Sequence, residues 1–188
     1  MSLNQLVVAK FGGTSVADYQ AMSRCADIVL ANPNTRLVVV SASSGVTNLL
    51  VELTQANVND ERRLSLLKQI AQIQYRIIDE LGSPQDINAQ IDKLLSRMAV
   101  LSESLELDRS KAIMDELLSM GEQCSSVLFS AVIREKGTPS NAFDVRQVLR
   151  TDSHFGRAEP QIEQIAMLAR DHLQPLLVNQ VIVTQGFI

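Results

Sequence analysis

Lys10-Phe11-Gly12-Gly13-Thr14-Ser15 sets a lysine, two glycines and two hydroxyl residues at the end of an apolar run. A strand that ends in glycines and enters a helix leaves backbone N–H groups exposed at a positive helix terminus, which suits a phosphate. Glycine lets the backbone approach that anion with no Cβ in the way. Lys10, at the carboxyl end of the strand, puts an ammonium beside the same anion. The lysine precedes the glycines, so this is not a Walker A loop. The plain alternative is a strand–turn–helix joint with Lys10 snorkelling from the strand end.

Ser41-Ala42-Ser43-Ser44-Gly45-Val46-Thr47 has the same build: a strand end, small hydroxyl residues, a glycine and a helix start. Ligands of open α/β sheets bind at the carboxyl ends of strands, so neighbouring strands would let both turns line one crevice. The alternative is ordinary N-capping by Ser43 or Ser44. Glu122 is the third candidate. Leu117, Gly121, Cys124 and Leu128 form the apolar stripe of a long helix, and Glu122 lies about 100° from Gly121 around it. A glycine in mid-helix costs roughly 1 kcal/mol against alanine, which points to a close approach there. On helical position alone Glu122 reads as a solvated glutamate. The polar stretch Thr151–Pro160 suits a surface loop near a site, or a simple Asp152–Arg157 pair. His154 has no partner nucleophile and is assigned no role.

These residues need a frame. Gln5–Phe11 and Arg36–Ala42 are continuous apolar strands, each followed by a helical run: Thr14 or Ser15 to Leu30, and Val46–Gln55. Ser15 with Asp18 has the shape of a capping box. Three longer helices fit Glu61–Leu81, Gln85–Glu106 and Arg109–Lys136. Ser140–Phe143 reads as a strand, Val145–Leu149 as a helical turn, Gln161–Leu173 as a helix and Val181–Thr184 as a last strand. Strands alternating with helices predict an α/β fold, with a mainly parallel sheet covered on both faces as a three-layer sandwich.

Composition narrows the function. The 188 residues are 46% apolar, enough for a sizeable core, and carry a net charge of −4. That balance excludes nucleic acid or an anionic membrane as the main partner. Cys25 and Cys124 stand far apart with only two histidines in the chain, which gives neither a disulfide scaffold nor a zinc site and suits a reducing cytoplasm. No residue set reads as a metal site. No apolar run reaches the ~18 residues of a membrane span, and Met1–Gln5 lacks the features of a signal peptide.

The opening Lys10–Val16 resembles the signature of aspartate kinases. The match continues in Ala17-Asp18, Val40–Leu50, Gly121-Glu122, Phe143–Arg146, Phe155–Pro160 and Thr184–Ile188, and its detail is similar to the lysine-sensitive, monofunctional branch. The resemblance implies an amino-acid-kinase fold and transfer of the ATP γ-phosphoryl group to the side-chain carboxylate of aspartate, with Mg²⁺. This is the first step toward the aspartate-derived amino acids. It implies that Lys10 stabilises charge on the transferring group and that Gly12, Gly13 and Ser41 face the phosphates. It also implies that Thr47 and Glu122 hold the aspartate, Glu122 through the α-ammonium. Such chemistry is mainly positioning and electrostatics.

The family's kinase region continues beyond the position of Ile188 into a nucleotide-binding half and regulatory ACT modules. Residues 1–188 are therefore expected to be the amino-terminal, substrate-side part of a kinase, incomplete and inactive alone, and part of a homo-oligomer in the whole enzyme. Two alternatives stand beside it. One is the kinase portion of a bifunctional aspartate kinase–homoserine dehydrogenase. The other is a non-catalytic binding or assembly module built on the three long helices.

Overall fold

The computed structural model describes residues 6–188. The Met1–Gln5 start, and Gln5 as the first residue of a strand, lie outside the described residues. The strands are β1 (Val7–Phe11), β2 (Thr35–Val40), β3 (Ser140–Phe143) and β4 (Val181–Gln185). They form one sheet in the order β1-β2-β4-β3, and every pairing is parallel. Parallel neighbours need crossover connections, and helices supply them. These are α1 (Tyr19–Leu30), α2 (Val46–Leu53), α3 (Asp60–Glu80), α4 (Gln85–Ser104), α5 (Lys111–Glu135) and α6 (Ile162–Leu168).

Register sets the two faces. Lys10 pairs with Val39 and Val39 with Thr184, so these three share one face, while Phe11, Val40 and Gln185 share the other. Val38, Val40, Val181 and Val183 bury their side chains against α1 and α5 in the main core. The Phe11 and Phe129 rings meet there at 5.7 Å, tilted by 42°. The opposite face carries a smaller core of Phe143, Val145, Val148, Leu173, Leu177 and Ile182. Helical turns on both faces sandwich the sheet, as the continuous apolar strands require. β4 is buried throughout, whereas β1, at one edge, leaves Val8 53% exposed.

Helices α3 and α4 pack on each other, on α2 and on α5, outside the sheet layers. The α3 stripe Leu66, Ile70, Ile77 and Ile78 is buried with Gln74 at its centre, and neither atom of that amide finds a partner. Two local expectations change. Asp18 does not complete a capping box for Ser15 but is itself the N-cap of α1, accepting from the Ala21 N–H at 2.7 Å; residues Gly13–Val16 form a separate 3-10 turn. The Gln161–Leu173 helix is α-helical only to Leu168 and continues as a π-turn over Ala169–Leu173, before Pro175 prevents further helix.

Candidate functional site

The first two glycine-bearing turns touch. Ser41 N–H donates to the Phe11 carbonyl at 3.1 Å, extending the β1–β2 ladder past the strand ends. A Cβ on Gly13 would stand 2.8 Å from the Ala42 carbonyl oxygen, so glycine is what lets the turns close on each other. Gly12 differs: no atom lies within 4 Å of a Cβ built there, and its backbone is extended at φ −80°. Lys10 is exposed on the face of β1 opposite α5, and no described residue forms an ion pair with it.

The second turn is tied to α5. Ser43 N–H donates to Ser125 Oγ at 3.0 Å, the two hydroxyls lie 3.3 Å apart, and Ser125 Oγ reaches the Gly121 carbonyl. Neither Ser43 nor Ser44 caps α2. Gly45 occupies the N-cap position at φ +85°, a conformation other residues rarely adopt. Gly121 answers the expected close approach, since a Cβ there would meet Leu50 Cδ1 at 2.8 Å, Ala42 Cβ at 3.0 Å and Val46 Cγ1 at 3.1 Å. With Gly121 seated against α2, Glu122 turns toward the end of β4. Its Oε2 accepts the N–H groups of Gly186 and Phe187, each at 2.8 Å. Glu122 is therefore a bonded, partly buried carboxylate and not a solvated one.

The turn after β4 is held from two other sides. Gly186 stands over Val39, the register partner of Lys10, with 3.2 Å between a built Cβ and Val39 Cγ1. Buried Gln185 donates to Asp144 Oδ1 at 2.6 Å and accepts from Val145 N–H at 3.2 Å. Burial pushes the Asp144 carboxyl up, but hydrogen bonds from the Arg146 side chain and amide and from Gln185 outweigh it and hold the group below the ordinary carboxylate range. Arg146 also reaches Gln123 on α5 at 3.3 Å.

The carboxyl ends of β1, β2 and β4 thus bring Lys10, Gly12, Gly13, Ser41 and Glu122 around one end of the sheet. Thr47 is exposed in the first turn of α2. The loop Thr151–Pro160 closes on itself by a Thr151–Pro160 bridge and docks on α5 through Gly156 N–H to Asp115. Within it Asp152 pairs with His154 at 2.7 Å and not with Arg157. Sequence reasoning missed Ser125, Gln185 and the Gly186–Phe187 amides. Only Ser125 left a signal, a hydroxyl beside the apolar stripe of α5. Cys25 Sγ donates to the Ser15 carbonyl at 3.2 Å, and burial pushes Cys124 up to about 12.

The sequence profile described as the amino acid kinase family matches residues 5–188. The chain belongs to that family. It is 47% identical, over 99% of its length, to lysine-sensitive aspartokinase 3 of Escherichia coli K12, and 32% identical, over 97%, to the aspartokinase of Chlamydia pneumoniae. It spans 41% and 39% of those two relatives. A crystal structure of E. coli aspartokinase III in complex with aspartate and ADP superposes on 97% of the chain at 48% identity, with a TM-score of 0.93. The α/β sandwich with a parallel sheet is therefore the amino acid kinase fold over the region shared. Among the described residues no helix is long and apolar enough to cross a membrane.

Proposed function

We propose that this chain is the aspartate-side part of an aspartate kinase, which transfers the γ-phosphoryl group of ATP to the side-chain carboxylate of aspartate. The observation that carries the reading is the convergence of three strand ends, with a lysine, paired glycines and a helix carboxylate, in a chain 47% identical to a lysine-sensitive aspartokinase. In the reaction a carboxylate oxygen of aspartate bonds to the γ-phosphorus as the bridging P–O bond breaks and ADP leaves.

Negative charge spreads over the transferring oxygens, and the Lys10 ammonium, exposed at the end of β1, offsets it. The open space at Gly12 leaves its backbone accessible to phosphate oxygens, and Ser41 adds a hydroxyl donor at the neighbouring end of β2. Glu122 supplies the negative charge for the substrate ammonium, and Thr47, exposed in the first turn of α2, offers a second polar group. Mg²⁺, when bound with the nucleotide, would supply further positive charge to the phosphoryl groups. No group of three or more His, Cys, Asp or Glu gathers as a cation site among the described residues, so no residue here is assigned to it. The chain spans 41% of its E. coli relative, the nucleotide-binding half is read as lying outside that span, and the chain alone is expected to turn over no ATP.

A chimera tests this reading: residues 1–188 replace the matching region of E. coli lysine-sensitive aspartokinase 3. Aspartate-dependent acyl phosphate, trapped with hydroxylamine, is the expected product. A folded, ATP-binding chimera that forms none contradicts the proposal.

A further inference from the structure

The Glu122 carboxylate is shared unequally. Oε2 takes two consecutive amides, Gly186 and Phe187, while no described residue donates to Oε1. Two N–H bonds on one oxygen fix both the side chain and the turn, and bonds to a charged acceptor are stronger than bonds to a neutral one. The neighbouring Gln185 side chain is tied to Asp144 and Val145, but Glu122 Oε2 is the only acceptor of the Gly186 and Phe187 amides among the described residues. Phe187 is 42% exposed, and a Cβ built on Gly186 would meet Val39 Cγ1 at 3.2 Å and Glu122 Oε2 at 3.8 Å. Glu122, in turn, is aimed by Gly121, whose missing side chain lets α5 sit against Ala42, Val46 and Leu50.

We infer that Glu122 is a positioning residue as well as a ligand: through Oε2 it clamps the Gly186–Phe187 turn as one wall of the crevice, and through Oε1 it meets the substrate ammonium. The second half rests on the aspartate reading above; the first does not. A carboxylate already fixed by two amides meets a cation without first losing side-chain freedom, which is the usual gain from preorganisation. The clamp also couples the two events. An ammonium at Oε1 draws charge from the acceptor that holds the wall, so the turn and the ligand adjust together.

Two substitutions separate the roles. Glu122→Gln keeps an oxygen at the same reach, able to accept both amides, but removes the charge. Glu122→Asp keeps the charge and shortens the side chain by one methylene, so it no longer spans to the turn. The structural readout is amide hydrogen exchange at Gly186 and Phe187 in the 188-residue chain, with Val183 in the sheet as the internal standard. We expect protection to persist within about tenfold in Glu122→Gln, and to fall tenfold or more in Glu122→Asp and Glu122→Ala. Exchange at Gly186 and Phe187 as fast in the wild type as in Glu122→Ala, with Val183 still protected, overturns the clamp. The kinetic readout is the KM for aspartate in the chimera. Both Glu122→Gln and Glu122→Asp should raise it tenfold or more, the first by lost charge and the second by a displaced wall. If Glu122→Asp leaves KM unchanged while the turn is loosened, the clamp has no bearing on binding and the inference fails. If only Glu122→Gln leaves KM unchanged, the ammonium role fails, and with it the second half of the inference, while the clamp stands on the exchange data.

Discussion

Replacing Gly13 with alanine puts a methyl group 2.8 Å from the Ala42 carbonyl oxygen. That oxygen belongs to the backbone of the second turn, which Ser43 ties to Ser125 and Ser41 ties to Phe11, so it has no side-chain freedom with which to move aside. Relief requires the two turns to separate. Overpacking of this kind costs about 1–3 kcal/mol, against a gain of about 0.4–1 kcal/mol from the stiffer unfolded chain. At the centres of the two ranges the net is a loss of about 1–2 kcal/mol. For a chain of this size each kcal/mol moves the melting temperature by about 2–4 °C, so the midpoint should fall by about 2–8 °C. Gly12 supplies the control in the adjacent residue. Its backbone suits any residue and a Cβ meets nothing, so Gly12→Ala should melt at or slightly above the wild-type temperature. Differential scanning calorimetry of the three proteins decides the matter. A Gly13→Ala midpoint equal to wild type, or Gly12→Ala as damaging as Gly13→Ala, would refute the contact between the turns.

Gln74 is wholly buried with both amide atoms unpartnered. Gln74→Leu removes that desolvation penalty at nearly constant volume and should raise stability by about 1–3 kcal/mol in urea titration, whereas a drop would show that the amide is satisfied. Asp144 is held below the ordinary carboxylate range in the folded chain, so its contribution is complete above the unfolded value of about 3.9 and is lost as pH falls through the lower folded value. Stability measured from pH 6 to pH 3 should therefore decline below about pH 4, and Asp144→Asn should lose stability at pH 6 and flatten that decline; an unchanged slope would remove the Asp144–Arg146–Gln185 cluster from the account.

β1, β2 and β4 were legible because each is a short run rich in β-branched residues, whereas β3, Ser-Asn-Ala-Phe, contains none. Ser140–Phe143 coincides with the strand read from sequence, and the others differ by one or two residues at their ends within the described chain. The mid-helix glycine at 121 correctly signalled a close approach, because nothing but packing explains such a residue in α5. Local capping was less legible. Asp18, Ser43 and Ser44 are all good N-cap residues, and which one serves depends on where the backbone turns. Gly45 takes the cap because it alone accepts the left-handed conformation, leaving Ser43 for a partner 82 positions away. The Glu122 clamp reaches 64 and 65 positions along the chain to backbone amides, which carry no side-chain signature. The nearness of Glu122 to the end of β4 follows from the β2-β4 pairing, and strand order is not written in any single segment.

We propose that phosphoryl transfer takes place at the carboxyl end of this sheet, with Lys10 as its fixed positive charge. The most direct measurement is steady-state kinetics of the chimera with and without Lys10→Ala, at saturating ATP and varied aspartate, with calorimetry confirming the fold. Removing one such electrostatic donor costs about 10²–10³ in turnover. The account predicts a kcat lowered by about that factor, with KM for aspartate within about twofold of the unsubstituted chimera. A Lys10→Ala chimera that keeps its kcat would contradict it.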